Sequence, residues 1–349
     1  MEKRNTKVVV GISGGVDSSV AAYLLKKEGY DVHGVFIKTW SPEWLPCTWL
    51  DEKRDAMRVC AALDIPFHFL DTTEAYKEEV AQYMIDEYRK GRTPNPDVLC
   101  NRVIKFGKMW EFAHSLGARY IATGHYAQTD GKSLFRGKDT NKDQSYFLWM
   151  VEDRELEHIL FPIGHLEKKQ VRNIAERAGL FTSQKKDSQG ICFLGDIDMK
   201  EFLSHYIDQK KGDVCDTLGN VIGHHNGVWF YTIGERHGWT LHYPSPDEKP
   251  YYVVGKDIEN NRLFVDNKII TIKKNVTTQK VTLVNQRAPS STKYNFTAQY
   301  RYRGECTSIT QISSNVFEIS APEMLAVGQS LVFYHNDHLV GGGIIDTVE

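Results

Sequence analysis

The stretch Ser13-Gly14-Gly15-Val16-Asp17-Ser18-Ser19 packs hydroxyls, glycines and one carboxylate into seven residues. It follows the apolar run Val8–Ile12 and precedes the amphipathic stretch Val20–Lys27, the order of strand, glycine turn and helix. Such a turn aims consecutive backbone N–H groups, and the positive end of the helix dipole, at one point. Gly14 and Gly15 let the backbone approach an anion closely, so the ligand this turn predicts is a phosphate or pyrophosphate. A Walker A loop needs a lysine directly after its last glycine, and the first lysine after Gly15 is Lys26. A dinucleotide fingerprint is also absent, because the next glycine is Gly29. Asp17 is the odd member: a carboxylate repels phosphate, so it either binds Mg²⁺ or serves the helix start structurally.

Two cysteines stand in basic surroundings. Cys100 lies in the stretch Arg89–Lys108, where Arg89, Lys90, Arg92, Arg102, Lys105 and Lys108 face one acid, Asp97. Cys192 follows a stretch carrying Lys168, Lys169, Arg172, Arg177, Lys185 and Lys186 against Glu167 and Glu176, and glycines 190 and 195 bracket it. Clustered cations lower a thiol pKa and attract a phosphate backbone. A packed cysteine beside a solvated basic helix face is the plainer reading. Asp97 is three residues from Cys100, within reach of the same pocket as a proton shuttle or orienter, or else it makes an Asx turn after Pro96.

The elements that must position these residues form an α/β pattern. Strand-like runs Val8–Ile12, Asp31–Ile37, Phe67–Leu70 and Arg119–Thr123 alternate with helical stretches, which implies a parallel sheet covered on both faces. Ligands of such sheets bind beyond the carboxyl ends of the strands. Past about Phe202 short β-type runs take over: Trp229–Tyr231, Tyr251–Val254, Arg262–Val265, Asn295–Tyr300, Val316–Ile319 and Leu331–Tyr334. The expected division is a nucleotide domain at 1–204, a small central module at 205–270 and a β-barrel at 271–349. The alternating Tyr300-Arg301-Tyr302-Arg303 reads plainly as a strand with its polar face in water.

With 349 residues and 41% hydrophobic content, the chain can bury more than one core. A net charge of −2 excludes a uniformly basic nucleic-acid binder, so RNA contacts must come from local patches. No apolar run approaches the roughly 18 residues of a membrane span, and the start runs straight into the first strand. A cytoplasmic protein without membrane contact is the expectation. The six cysteines show no CxxC pair or zinc spacing, so neither a disulfide framework nor a resident metal is expected.

The loop Ser13–Ser19 resembles the SGGxDS signature of the N-type ATP pyrophosphatases, the PP-loop family. Five further blocks extend the likeness: GRTPNPDVLCN at 91–101, TGHY at 123–126, KDQSYFL at 142–148, GICFLG at 190–195 and FYTIGERHG at 230–238. In this order they resemble the tRNA-specific 2-thiouridylase (MnmA) family along the whole chain. The resemblance implies a PP-loop domain, a central domain and a C-terminal β-barrel. It implies that ATP, with Mg²⁺ and no tightly bound organic cofactor, activates the C2 oxygen of the wobble uridine of tRNA for replacement by sulfur. By the same resemblance Gly11, Ile12, Ser13, Gly14, Gly15, Val16, Asp17, Ser18, Ile37 and Gly124 bind ATP. Ile37 departs from the methionine usual there, which matters little for a backbone or apolar contact. Asn95, Pro96 and Asp97 meet the target base, Cys192 carries a persulfide, and Cys100 is its catalytic partner, with a transient Cys100–Cys192 disulfide. His125, Lys142, Asp143, Gln144, Arg301, Tyr302 and Gln329 are the implied contacts to the tRNA anticodon arm. A cysteine desulfurase or sulfur-relay protein is the implied donor. Whether the persulfide attacks directly or Cys100 first releases hydrosulfide stays open. Other PP-loop ligases, an iron–sulfur site on the two cysteines, and an RNA-binding protein that holds ATP only as a ligand are the rival readings.

Overall fold

The computed structural model describes residues 5–46, 48–186, 198–243, 249–268, 272–283, 296–321 and 325–349. Its first unit is a five-stranded sheet in which β1 (Lys7–Gly11), β2 (Asp31–Lys38), β3 (Phe67–Asp71), β4 (Tyr120–Ala122) and a later two-residue strand, Ile159–Leu160, all run parallel. The order is β3-β2-β1-β4 and then Ile159–Leu160. Alternation along β1 sends Val9 into one apolar core and Val8 and Val10 into another, so both faces are covered. Because β2 and β4 flank β1 on opposite sides, the connections reverse direction there, and a crevice opens outside the carboxyl ends of β1 and β4. α1 (Val16–Lys27) and α2 (Trp49–Ala62) follow β1 and β2.

The polypeptide between β3 and β4 climbs back through helix Gln82–Arg89, the bend at Gly91–Asn95 and one long helical run from Pro96 to Ser115. Its segment Cys100–Lys108 is wound wider than an α-helix, and the N–H of Met109 reaches the carbonyl of Ile104, five residues back. Since this run returns the chain to the start of β4, its N-terminal end, with Cys100, lies at the carboxyl edge of the sheet.

After β4, β5 (Ala127–Thr129) and β6 (Leu134–Arg136) form a hairpin; β7 is the strand Ile159–Leu160 named above. The central module holds β8 (Gly212–Cys215), β9 (Val221–His225), β10 (Thr240–Leu241), β11 (Tyr252–Asp257) and β12 (Arg262–Asp266). The run Trp229–Tyr231, expected as a strand, is instead a tight turn at Val228–Phe230 entered through Gly227 at φ +140°. An aromatic run of that length reads equally as strand or buried turn. The last unit comprises β13 (Ile272–Leu283), β14 (Phe296–Gln299), β15 (Thr307–Ser313), β16 (Val316–Ala321), β17 (Ser330–His335) and β18 (His338–Val348). Pairing of β13 with both β16 and β18 closes these six strands into a barrel. The hairpin β5–β6 of the first unit joins the barrel's sheet through Leu134 and Phe135 on β18. Arg301–Arg303 falls in a turn after β14, with Arg303 at φ +57°, and not in an alternating strand as expected. The hydrogen bond from the Gly304 N–H to the Arg301 carbonyl closes that turn.

The bend Gly91–Pro94 is gripped from all three units. Gly91 has no room for a β-carbon because Ile258 of the central module fills that space. The Arg92 guanidinium bonds Glu87 at 2.6 Å and Asp346 of the barrel at 2.8 Å. The Thr93 N–H donates to the Val327 carbonyl at 2.8 Å, and Gln329 Nε2 donates to the Thr93 carbonyl at 3.0 Å. The Thr93 hydroxyl donates to that of Thr232 at 3.4 Å. Arg92→Ala leaves the buried Glu87 with only the exposed Lys90, at 2.9 Å, and takes the guanidinium from Asp346, and the expected loss is about 2 kcal/mol of stability. Urea unfolding of the variant beside the unsubstituted protein measures it; a loss below about 0.5 kcal/mol would contradict the clamp.

Candidate active site

The loop Ser13–Ser19 occupies the crevice at the β1/β4 reversal. Its glycines have separate reasons. Gly14 takes φ +75°, and a β-carbon there would lie 2.8 Å from Asp55 Cβ of α2. Gly124, on the loop after β4, would place a β-carbon 2.7 Å from the Ser18 nitrogen, so it lets that loop lie against the first turn of α1. The hydroxyls close the loop on itself: Ser19 Oγ donates to the Gly15 carbonyl at 2.7 Å, and Ser18 Oγ accepts from the Ser13 N–H at 3.3 Å. No side chain caps α1, whose first-turn N–H groups point into the crevice.

Asp17 neither caps the helix nor stands open to a cation. Lys168 Nζ contacts its two carboxylate oxygens at 2.8 and 2.7 Å, and the Tyr126 hydroxyl donates to it at 2.7 Å. Among the described residues no group of three side chains is suited to holding a metal. Paired with Lys168, Asp17 offers no open carboxylate to Mg²⁺. Lys185 reaches the loop from outside, donating to the Gly14 carbonyl at 3.1 Å and pairing with Asp55 at 2.7 Å. Beside it, burial pushes the Glu52 carboxyl up, and Lys185 offsets part of that rise.

Cys100 is buried, packed among Tyr76, Val80, Ala81 and Ile104. Ile37, from the end of β2, borders the same cluster, so the thiol lies at the sheet edge that carries the loop. Asp97 and Asn95 are half-buried in the bend and first turn ahead of it, and Pro96 is buried. Cys192 lies outside the described residues, as does the whole GICFLG block.

The residues expected to touch tRNA divide into two kinds. Arg301 is exposed, and Tyr302 packs on Phe147 with ring centroids 4.6 Å apart. Lys142 is half-buried in the turn before Asp143. The others are occupied inside the protein. Asp143 is buried, pairs with Arg136 at 2.8 Å, and accepts from the Gly137 and Ser145 N–H groups at 2.9 and 3.1 Å. Gln144 and Tyr126 exchange hydrogen bonds: Gln144 Oε1 accepts from the Tyr126 N–H at 3.0 Å, and its own N–H donates to the Tyr126 carbonyl at 2.9 Å. Gln329 holds the Thr93 carbonyl. His125 is 7% exposed, with Nδ1 2.7 Å from the Thr123 hydroxyl and Nε2 3.4 Å from Lys105 Nζ. In this conformation neither ring nitrogen faces solvent.

Sequence reading missed Lys168, Tyr126, Arg136 and Tyr146. Tyr146 is buried, donates to the Ser330 carbonyl of the barrel at 2.9 Å and hydrogen-bonds the Asn95 side chain. Tyr126 and Tyr146 stand inside the TGHY and KDQSYFL blocks, so the blocks held the signal; Lys168 had none beyond a basic stretch.

Burial, and then Lys105, push the His125 pKa well below the ordinary 6.5. The unfolded chain therefore binds more protons than the folded one below that value. His125 costs no stability above about pH 6.5 and destabilises progressively as the pH falls beneath it, by up to about 1.4 kcal/mol per unit. Burial shifts His68 and His225 in the same direction. Denaturant midpoints between pH 7 and 5.5 should fall, and less steeply in His125→Gln; equal slopes would contradict this assignment.

Three family models cover the chain: the tRNA methyl transferase HUP domain at residues 6–196, the tRNA methyl transferase PRC-barrel domain at 200–267 and the aminomethyltransferase beta-barrel domain at 273–345. The tRNA-specific 2-thiouridylase MnmA of Bacillus subtilis (strain 168) is 45% identical, with 100% of this chain and 97% of that protein covered. The protein of the same name from Listeria innocua is 43% identical over 98% and 95%. Among solved structures, the U34-tRNA thiolase NcsA of Methanococcus maripaludis matches at 19% identity and TM-score 0.37, covering 55% of this chain and 62% of that one.

Proposed function

The chain belongs to the tRNA-specific 2-thiouridylase (MnmA) family, and from that premise we propose that it converts the wobble uridine, position 34, to 2-thiouridine by ATP-driven adenylation and persulfide sulfur transfer. It is a tRNA-modifying sulfurtransferase that uses ATP. The observation that carries the mechanism is the shared sheet edge. The anion loop after β1 and the buried thiol of Cys100 beside the end of β2 both lie at the carboxyl ends of the strands.

A uridine C2 oxygen is a poor leaving group. In the first step it attacks the α-phosphorus of ATP; the new O–P bond forms as the bond to the bridging oxygen breaks, and pyrophosphate leaves with the electron pair. Gly11–Ser18, Ile37 and Gly124 hold the nucleotide, and any Mg²⁺ accompanies its phosphates. Asn95, Pro96 and Asp97 meet the extruded base, and Asp97 accepts the N3 proton that adenylation releases. The second step replaces AMP at C2 by sulfur from the Cys192 persulfide. Cys100 thiolate attacks Cys192 Sγ, either after the terminal sulfur has bonded to C2 or before it, releasing hydrosulfide that attacks C2. Both routes end in a Cys100–Cys192 disulfide, and a thiol reductant returns it to two thiols.

The functional units are 1–204, 205–270 and 271–349. Lys142, Arg301 and Tyr302 supply the outward contacts to the anticodon arm. His125, Asp143 and Gln144 serve tRNA binding through the residues they hold, and Gln329 serves the bound base through the bend before Asn95. A cysteine desulfurase or sulfur-relay protein provides the sulfur. Among the described residues no helix is long and apolar enough to cross a membrane, and we assign the protein to the cytoplasm.

Cys100→Ser and Cys192→Ser should each reduce 2-thiouridine, read by nucleoside mass spectrometry, to background while tRNA-dependent pyrophosphate release in the first turnover persists. The assay supplies ATP, tRNA and a persulfide donor with free sulfide withheld. Thiolation by either variant would contradict the cysteine mechanism, and AMP release without thiolated tRNA by the unsubstituted protein would contradict the acceptor.

A further inference from the structure

We propose that Lys168 is a catalytic residue of the adenylation step, binding the β- and γ-phosphates of ATP and holding the pyrophosphate as it leaves. The proposal rests on the reading of Ser13–Ser19 as the ATP loop. It starts from the carboxylate in an anion site. Asp17 is the second residue of α1, where the N-terminal donors converge, and alone its charge would oppose the phosphates. Lys168 cancels that charge with contacts to both oxygens, at 2.8 and 2.7 Å.

The support around this one ammonium is extensive. Lys168 opens the helix Lys168–Arg177, and its N–H donates to Asp139 at 2.9 Å. The preceding Glu167 forms a reciprocal capping box with Gln170, which fixes where the helix begins. Tyr126 donates to the same Asp17 carboxylate, and Gln144 bonds the Tyr126 backbone twice. The lysine side chain is only 13% exposed, unlike a surface ion pair. Lys185 differs: its contacts are the Gly14 carbonyl and Asp55, so it braces the loop's outer wall.

The chemistry favours a cation at this point. When the uridine oxygen attacks the α-phosphorus, the bond from that phosphorus to the β-bridging oxygen breaks, and the electron pair adds negative charge to the departing pyrophosphate. A prepositioned ammonium stabilises that charge more in the transition state than in bound ATP. Asp17 holds the ammonium in place at the loop.

The test uses the full chain with Lys168→Ala and Lys168→Gln, and calorimetric titration with inorganic pyrophosphate and, separately, AMP. Both variants should bind pyrophosphate about tenfold more weakly or worse, with AMP affinity within twofold of the unsubstituted protein. Single-turnover pyrophosphate formation with saturating ATP and tRNA should slow about a hundredfold, with Lys168→Arg recovering part of both losses. Unchanged pyrophosphate affinity would overturn the proposal, and so would equal losses for pyrophosphate and AMP, the mark of a collapsed loop. If the unsubstituted protein forms no pyrophosphate with ATP and tRNA, the ATP reading fails and this proposal with it. If it forms pyrophosphate and the variants keep its rate, only the proposal fails.

Discussion

A buried carboxylate, that of Asp143, sets the position of the segment on which the rest of the site leans. Arg136 pairs with it, and the N–H groups of Gly137 and Ser145 and the Ser145 hydroxyl all donate to it. A buried charge of this kind is tolerable only when its acceptor positions are filled, and removing its partner is costly. With Asp143 fixed, each following residue has one task. Gln144 holds Tyr126, which reaches the ATP loop; Tyr146 joins Asn95 to Ser330; and Trp149 bonds the Ser330 hydroxyl at 3.0 Å. Asn101, beside Cys100, donates to the Phe147 carbonyl at 3.2 Å. The glycine loop, the bend before Pro96, the cysteine helix and the barrel are thus tied to one short stretch of chain.

That arrangement changes the meaning of several polar residues. Asp143, Gln144 and Gln329 are expected as contacts to RNA, yet both oxygens of Asp143, Oε1 of Gln144 and Nε2 of Gln329 are spent on the protein's own backbone and side chains. RNA binding depends mainly on outward cations and on shape, and of these residues Arg301 is exposed. The barrel's second task is internal. Through Arg92, Thr93 and Gln329 it sets the bend immediately before Asn95, so a domain distant in sequence helps position the bond-making groups. Catalysis that depends on such positioning is sensitive to displacements of about 1 Å.

The sheet, its carboxyl-edge loop and the change to β-structure near residue 205 were legible in the sequence because each rests on local pattern. The period-two core of β1, the glycines of Ser13–Ser19 and the amphipathic α1 carry their own signals. The hairpin β5–β6 was not legible: strands of three residues show no alternation, and their stability comes from pairing with β18, about 200 residues later. Trp229–Tyr231 failed for the opposite reason, an aromatic run whose path is decided by Gly227. Lys168 looked like one member of a basic patch, since nothing local tells that it meets an aspartate 151 positions earlier. Asp143 and Gln144 looked like surface residues because polarity alone does not distinguish a solvated group from one with buried partners.

The central claim is that the barrel positions the bend that bears the chemistry. Single-turnover thiolation by Gln329→Ala at saturating tRNA, measured beside its tRNA dissociation constant, tests this most directly. The structure predicts a rate about tenfold slower, with affinity within twofold of the unsubstituted protein. An unchanged rate with weakened tRNA binding would contradict it, and would make Gln329 a contact to the RNA itself.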